Sequence, residues 1–318
     1  MDETTPQQRR SRPGSSGLTR RPRTRAFRRA RAALLAVCAA ALAVVLGVGI
    51  HAATQSRPAD SGQAAAPSDG GTGSPASVPA SDAGAVDPAL DARIDAIIEG
   101  ASDYQIGVAL LDLSDGAQAA GAVHNYGVDG AFVAASTAKV LAAEAYYHLV
   151  ETGEASLDDP LGAYTAGFQL QEMIQQSDND SWSLIMDAVG HEELTEYAAS
   201  MGVDYNPQGN ELTPADMARI LAGLYSGTLL EPANTAQLLG YMQNTNDETL
   251  IPAATPPGIT VFHKYGLLEG ELHDAGILTR DGTAYALVVY TKGEDLSSVP
   301  ERTGVIHEVT KAVVQALF

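Results

Sequence analysis

Cysteine is all but missing: Cys38 is the single one in 318 residues and sits in an apolar run. Neither a disulfide framework nor a thiolate metal site can be built from it. Lysine is almost as scarce, with Lys139, Lys264, Lys292 and Lys311 the whole supply. Ten of the nineteen Lys and Arg residues are Arg at or before Arg31. From Asp87 to Phe318 there are thirty-four Asp and Glu against eight Lys and Arg, a net of −26 with His neutral. That segment repels nucleic acid and anionic lipid, which excludes both as its partners. Metal-ligand clusters are lacking too: His263 and His273 have no clustered Cys, His or carboxylate companions, so the sequence calls for no metal and no cofactor.

The chain opens with an Arg-rich arm, residues 1–31, expected to be disordered and cytoplasmic. From Ala32 to Ile50 run nineteen uncharged residues, which as a helix span roughly 28 Å, close to a bilayer core of about 30 Å. Residues 32–53 therefore read as a single-pass transmembrane anchor in the cell membrane, with the arm inside and everything later outside. A cleaved signal sequence is the alternative, since the basic start and the small Ala52 and Ala53 suit one, although the run exceeds the ~7 to 15 residues usual there. Both readings export the remainder, tethered or secreted. Residues 54–86 are mostly Ala, Ser, Gly, Pro and Asp, too polar to offset the entropy of ordering, and read as a disordered tether.

The remaining segment, 87–318, is long enough for a well-buried core. Asp87-Pro88 followed by Leu90, Ile94, Ile97 and Ile98 predicts a capped opening helix. Residues 105–113 predict a strand entering a hairpin at Ser114-Asp115-Gly116, continued weakly over 117–126. A helix is predicted from Ser136 to Glu151, followed by a mostly helical stretch over 169–227 with Pro214 starting its last helix. Three strands over 260–267, 272–278 and 285–290, separated by Glu-Gly and Asp-Gly turns, precede a final helix over 305–317. Strands at both ends around a helical insert imply an α+β fold: one antiparallel sheet flanked by terminal helices, an all-helical lobe beside it, and a cleft at the seam.

Ser136-Thr137-Ala138-Lys139 places a hydroxyl and an amine three apart on one helix face. Burial among Val133, Ala134, Ala135, Val140 and Leu141 lowers a lysine pKa and makes the neutral amine available as a base. Alone the motif is weak, because Ser136 or Thr137 can simply cap the helix while Lys139 reaches water. A second lysine follows in His263-Lys264-Tyr265-Gly266. Between them Ser177-Asp178-Asn179 separates two helices, which by itself is ordinary turn chemistry.

The order S-x-x-K, S-D-N, K-x-G belongs to class A β-lactamases and penicillin-binding proteins, and the sequence resembles the class A β-lactamase-like serine hydrolases over nearly all of 87–318. Supporting stretches are Ser156-Leu157-Asp158-Asp159-Pro160, Leu212-Thr213-Pro214-Ala215-Asp216-Met217-Ala218 and His273-Asp274-Ala275-Gly276-Ile277. The resemblance implies that Ser136 is the acylated nucleophile, Lys139 its proton partner and Ser177 the relay to the leaving nitrogen. It implies that Asn179 holds Lys139 and a substrate amide, that Lys264 sets the electrostatics near Ser177 and a substrate carboxylate, and that the N–H groups of Ser136 and Leu267 form an oxyanion hole beside Gly266.

Two departures qualify it. Tyr265 stands where the family has Thr or Ser, whose hydroxyl meets the substrate carboxylate; a phenol is longer and can point elsewhere. The Ω-shaped loop that carries the family's deacylating glutamate is absent, because only 203–211 joins Gly202 to Leu212. Glu211 is the one carboxylate just before that stretch, and its ordinary place is at an exposed helix start. The expectation is an extracytoplasmic acyl-serine hydrolase acting on small-molecule or peptidoglycan-like substrates: β-lactams or related D-amino-acid amides and esters, with slow release of the acyl group. The alternative is a penicillin-binding or sensor domain that keeps the fold without turnover.

Overall fold

A computed structural model of the protein describes residues 87–114 and 122–318. The predicted arm, anchor and tether lie outside the described residues, as does most of the first hairpin turn. Among the described residues no helix is long and apolar enough to cross a membrane.

The opening helix, α1 (Pro88–Gly100), starts as its residues require: the Asp87 carboxylate accepts the Ala89 N–H at 3.0 Å, and Pro88 occupies the first turn. Its Leu90 and Ile94 are buried against a five-stranded antiparallel sheet. The strands are β1 (Gln105–Asp112), β2 (His124–Gly127), β7 (Thr260–Leu268), β8 (Glu271–Arg280) and β9 (Thr283–Lys292), in spatial order β2-β1-β9-β8-β7. The inner strands are buried at nearly every position instead of alternating, because both faces of the sheet are covered. On one face lie α1 and the closing helix α9 (Val299–Leu317), around Ile94, Leu287, Ile306 and Val313.

The other face meets a helical lobe. Its centre is α2 (Lys139–Glu151), buried on almost every side, as an Ala-rich apolar helix should be. Around it sit α3 (Ala166–Gln175), α4 (Asn179–Val189), α5 (His191–Ser200), α6 (Pro214–Ser226) and α7 (Pro232–Tyr241). Two-residue strands β3 (Phe132–Val133), β4 (Pro160–Leu161), β5 (Tyr164–Thr165) and β6 (Glu211–Leu212) tie the loops, with β3 paired to β6, and a single-turn helix α8 (Ile251–Ala254) precedes β7. The expected α+β architecture is present.

Two expectations need correction. Ser136 does not begin an α-helix: residues Ala135–Ala138 form a 3₁₀ turn, and α2 starts at Lys139. The cause is Ala135, which at φ +48° breaks the helical path. Three residues complete a 3₁₀ turn, so Ser136 and Lys139 still share a face. The closing helix starts earlier than 305, because Pro300 occupies its first turn without breaking it. Helix α7 was not predicted; only Thr235 and Leu238 of it are buried, too short a stripe to show as a period.

Candidate active site

The turn that carries Ser136 is held from three sides. The Ala134 N–H donates to Asn210 O at 2.7 Å, and Asn210 Nδ2 donates to Ala135 O at 3.0 Å. Asn210 is itself at φ +51°, and its Oδ1 accepts the Tyr205 hydroxyl at 3.0 Å. Below, Thr137 Oγ1 donates to Ala134 O at 2.7 Å and accepts the fully buried Tyr290 hydroxyl at 2.6 Å. His273 stacks on Tyr290 with ring centres 4.1 Å apart. Its Nδ1 accepts the Thr291 N–H at 3.1 Å, so the proton belongs on Nε2, which donates to Val133 O at 3.0 Å. Burial pushes the His273 pKa down to about 4, which keeps it the neutral tautomer this arrangement needs.

On the third side strand β7 lies against the turn. A Cβ on Gly266 would come within 3.1 Å of Ala134 O, Ala135 Cβ and Ser136 N, so only glycine allows so close an approach. Leu267 and Leu268, which follow, are exposed at the strand's end. The Ser136 side chain is partly exposed and, among the described residues, has no hydrogen-bond partner.

Ser177 sits between the end of α3 and Asp178, the residue that caps α4 by accepting the Ser181 N–H at 2.6 Å. At φ +57° Ser177 is in the left-handed region, an uncommon conformation for serine. There its hydroxyl meets two amines. Lys139 Nζ donates to Ser177 O at 2.6 Å and to Asn179 Oδ1 at 2.8 Å, and lies 3.4 Å from Ser177 Oγ. Lys264 Nζ donates to Ser177 Oγ at 3.0 Å and to Tyr265 O at 3.0 Å. Both lysines are buried, at 3% and 0% exposure. Burial lowers Lys139 to about 8 against the pull of Asp178. Burial and the neighbouring Lys139 charge lower Lys264 to about 7 against Asp274 and Asp247. An amine that is partly neutral at physiological pH can accept a proton from a hydroxyl, and a hydroxyl between two amines can pass one on.

The neighbours of Lys264 fix its strand. His263, buried on the opposite side of β7, faces Asp274 on β8 at 2.9 Å through Nδ1 and Glu248 at 3.3 Å through Nε2. Burial works to lower His263, and the two carboxylates override it and take the pKa up to about 9. Asp274 also accepts the Ile251 N–H at 2.9 Å, at the first residue of α8, so one carboxylate ties His263 on the lysine strand to that helix start. The predicted site residues Lys139, Ser177, Asn179 and Lys264 thus meet, and Gly266 adjoins the Ser136 turn. Asn210 and Tyr290 were not singled out as its supports, because each acts on residues remote in sequence.

The sequence profile described as the beta-lactamase enzyme family matches residues 89–317. The chain belongs to that family. Among solved structures, PBP-A is 25% identical, with a TM-score of 0.66 over 73% of this chain and 97% of its own. A variant of the last common ancestor of Gram-negative class A β-lactamases is 25% identical, with a TM-score of 0.63 over 71% and 97%. A β-lactamase from Xanthomonas campestris, 22% identical with a TM-score of 0.65 over 72% and 98%, shares the fold. Comparison with curated proteins gives no match.

Within the β-lactamase family this member departs at the two positions already marked. The Glu211 carboxylate accepts Asn206 Nδ2 at 2.7 Å within its own short loop. The Tyr265 hydroxyl turns away from its motif and donates to Asn246 Oδ1 at 2.8 Å. Among the described residues no group of three or more His, Cys, Asp or Glu is arranged to hold a metal. Trp182 packs against the core of the helical lobe.

Proposed function

We propose that the protein is an extracytoplasmic serine hydrolase that forms an acyl-enzyme on Ser136 with β-lactams or related D-amino-acid amides and esters, from small-molecule or peptidoglycan-like sources. The observation that carries this reading is the convergence of two buried amines, Lys139 and Lys264, on the Ser177 hydroxyl. Ser136 Oγ attacks the substrate carbonyl and its proton passes to neutral Lys139. The backbone N–H groups of Ser136 and Leu267 stabilise the oxyanion, as the close approach of Gly266 to Ser136 N favours. The amide or ester bond then breaks, and Ser177 delivers a proton to the leaving atom, reprotonated from the amines on either side. Asn179 keeps Lys139 in place through the bond to its Oδ1. Residues 32–53 would hold the domain outside the cell membrane.

Release of the acyl group is the slow half. A general base contributes about 10² to 10⁴ in rate, and the carboxylate nearest in sequence, Glu211, is engaged by Asn206. The same observation favours a second reading, a penicillin-binding sensor that acylates once and holds the adduct. Incubation of the protein with a fluorescent penicillin should label wild type and leave Ser136→Ala blank; label persisting on that variant would refute the assignment. With a chromogenic cephalosporin, steady turnover supports the hydrolase, and one equivalent followed by silence supports the sensor.

A further inference from the structure

The eight Lys and Arg side chains of the segment 87–318 are all described, and each is already engaged. Arg219 pairs with Asp216 at 2.7 Å and Lys292 with Glu271 at 3.0 Å. Arg302 is fully buried and spends its donors on the carbonyls of Gly270 and Asp295 and on Ser298 Oγ. Arg93 donates to Gln315, Arg280 lies over the Phe318 ring, and Lys311 faces Glu308. That leaves Lys139 and Lys264. Lys139 is occupied by Ser177 and Asn179. Lys264 has two acceptors and is roofed by the Tyr265 ring, whose centre lies 4.0 Å from Nζ.

Tyr265 is fastened in that position. Its hydroxyl donates to Asn246 Oδ1 at 2.8 Å. Asn246 in turn donates through N to Gln175 O at 2.9 Å and through Nδ2 to Gln176 O at 2.8 Å, at the end of α3 just before Ser177. Phenol, Asn246 and the α3 terminus form a strap across the Lys264 side of the site. The cation's open face therefore meets an aromatic ring, which satisfies a cation but offers an anion only its negative face. Asp178 and Asp247 lie close enough to act on Lys139 and Lys264 and would repel a further carboxylate.

We propose that the site selects acyl donors with no free carboxylate at the end that lodges beside Lys264 and Tyr265, namely esters and amides, over the corresponding acids. This rests on the acyl-enzyme reading above and names its substrate class. A carboxylate there would meet like charge and no free donor cation, which should slow its acylation by about tenfold or more relative to the ester.

The test uses the full chain, with benzylpenicillin and benzylpenicillin methyl ester as probes and second-order acylation rates read by intact-protein mass spectrometry. The ester-to-acid rate ratio should be about tenfold or more in wild type. Tyr265→Thr, which removes the ring and supplies a short hydroxyl, should move the ratio toward the acid by about tenfold. Tyr265→Val, which removes the ring without supplying a hydroxyl, should move the ratio in the same direction, and it serves should the threonine variant fail to fold. A ratio below about tenfold in wild type, or one unmoved in a folded variant that lacks the ring, overturns the inference while leaving acylation of Ser136 intact. No adduct from either probe on folded protein overturns the acyl-enzyme reading itself, and the inference with it.

Discussion

At the scale of single residues the chemistry rests on an amine that loses its charge near neutrality. Lys139 is brought to about 8 because burial removes the water that would solvate its ammonium, and Asp178 only partly restores the charged form. In the proposed mechanism the neutral amine is the base, and its population grows as pH rises through that value. Acylation of Ser136 should therefore climb between about pH 6 and 8 and flatten above, measured as adduct formation with a penicillin by quenched-flow mass spectrometry. Lys139→Arg should remove the climbing limb and nearly all the rate, since a guanidinium stays protonated throughout. A flat profile in wild type over the same range would mean that another group takes the proton. Lys264 loses its own charge over an overlapping range, so the two amines titrate as a pair and the midpoint belongs to both.

At the scale of elements the loop that replaces the family's longer one has become a clamp. Residues 203–211 reach the Ser136 turn through Asn210, whose carbonyl accepts the Ala134 N–H and whose side chain donates to Ala135 O, where Ala135 is strained at φ +48°. Asn210→Gly keeps the positive φ that Asn210 adopts and removes only the side-chain bonds to Ala135 and Tyr205. At about 1 kcal/mol per bond, we expect acylation to slow about tenfold while reversible affinity for a non-acylating analogue stays unchanged. An unaltered rate would show that the turn holds itself. This clamp also marks where the sequence stopped being informative. Period and capping located the main helices and the long strands, since Asp87, Pro214 and the Glu-Gly and Asp-Gly turns act on their immediate neighbours. Family order picked out Ser136, Lys139, Ser177, Asn179 and Lys264, which lie within 128 positions of one another and carry side chains that name their chemistry. Asn210 and Asn246 carry no such name: each works through backbone groups distant in sequence, which only the folded chain brings near. The 3₁₀ turn was hidden for a related reason, because an alanine at positive φ is imposed by its surroundings and not by its own propensity.

At the scale of the whole molecule two apolar cores lie on opposite faces of the sheet, and the candidate site is at the seam between the sheet and the helical lobe. That lobe contains a flaw. Glu144, on α2, is completely buried, and neither carboxyl oxygen has a hydrogen-bond partner among the described residues; the buried Tyr197 hydroxyl, close enough to feel its charge, is equally unpaired. Burial raises the Glu144 pKa well above its ordinary value of 4.5. The folded state retains a proton that the unfolded chain releases, so stability is greatest below about pH 4.5 and declines as pH rises toward the folded-state value. Glu144→Met fills a similar volume and has no proton to lose. We expect it to stabilise the protein by about 1 to 3 kcal/mol near pH 7, with a much smaller gain at pH 4, measured by urea midpoints of both proteins. Every other carboxylate is common to the two, so the difference between their pH curves isolates position 144. Acylation should not change, because Glu144 makes no hydrogen bond to Ser136, Ser177 or Lys264. A gain that is the same at both pH values would show that the carboxyl is charged and paired in the fold, and a loss would show that the helical lobe depends on it.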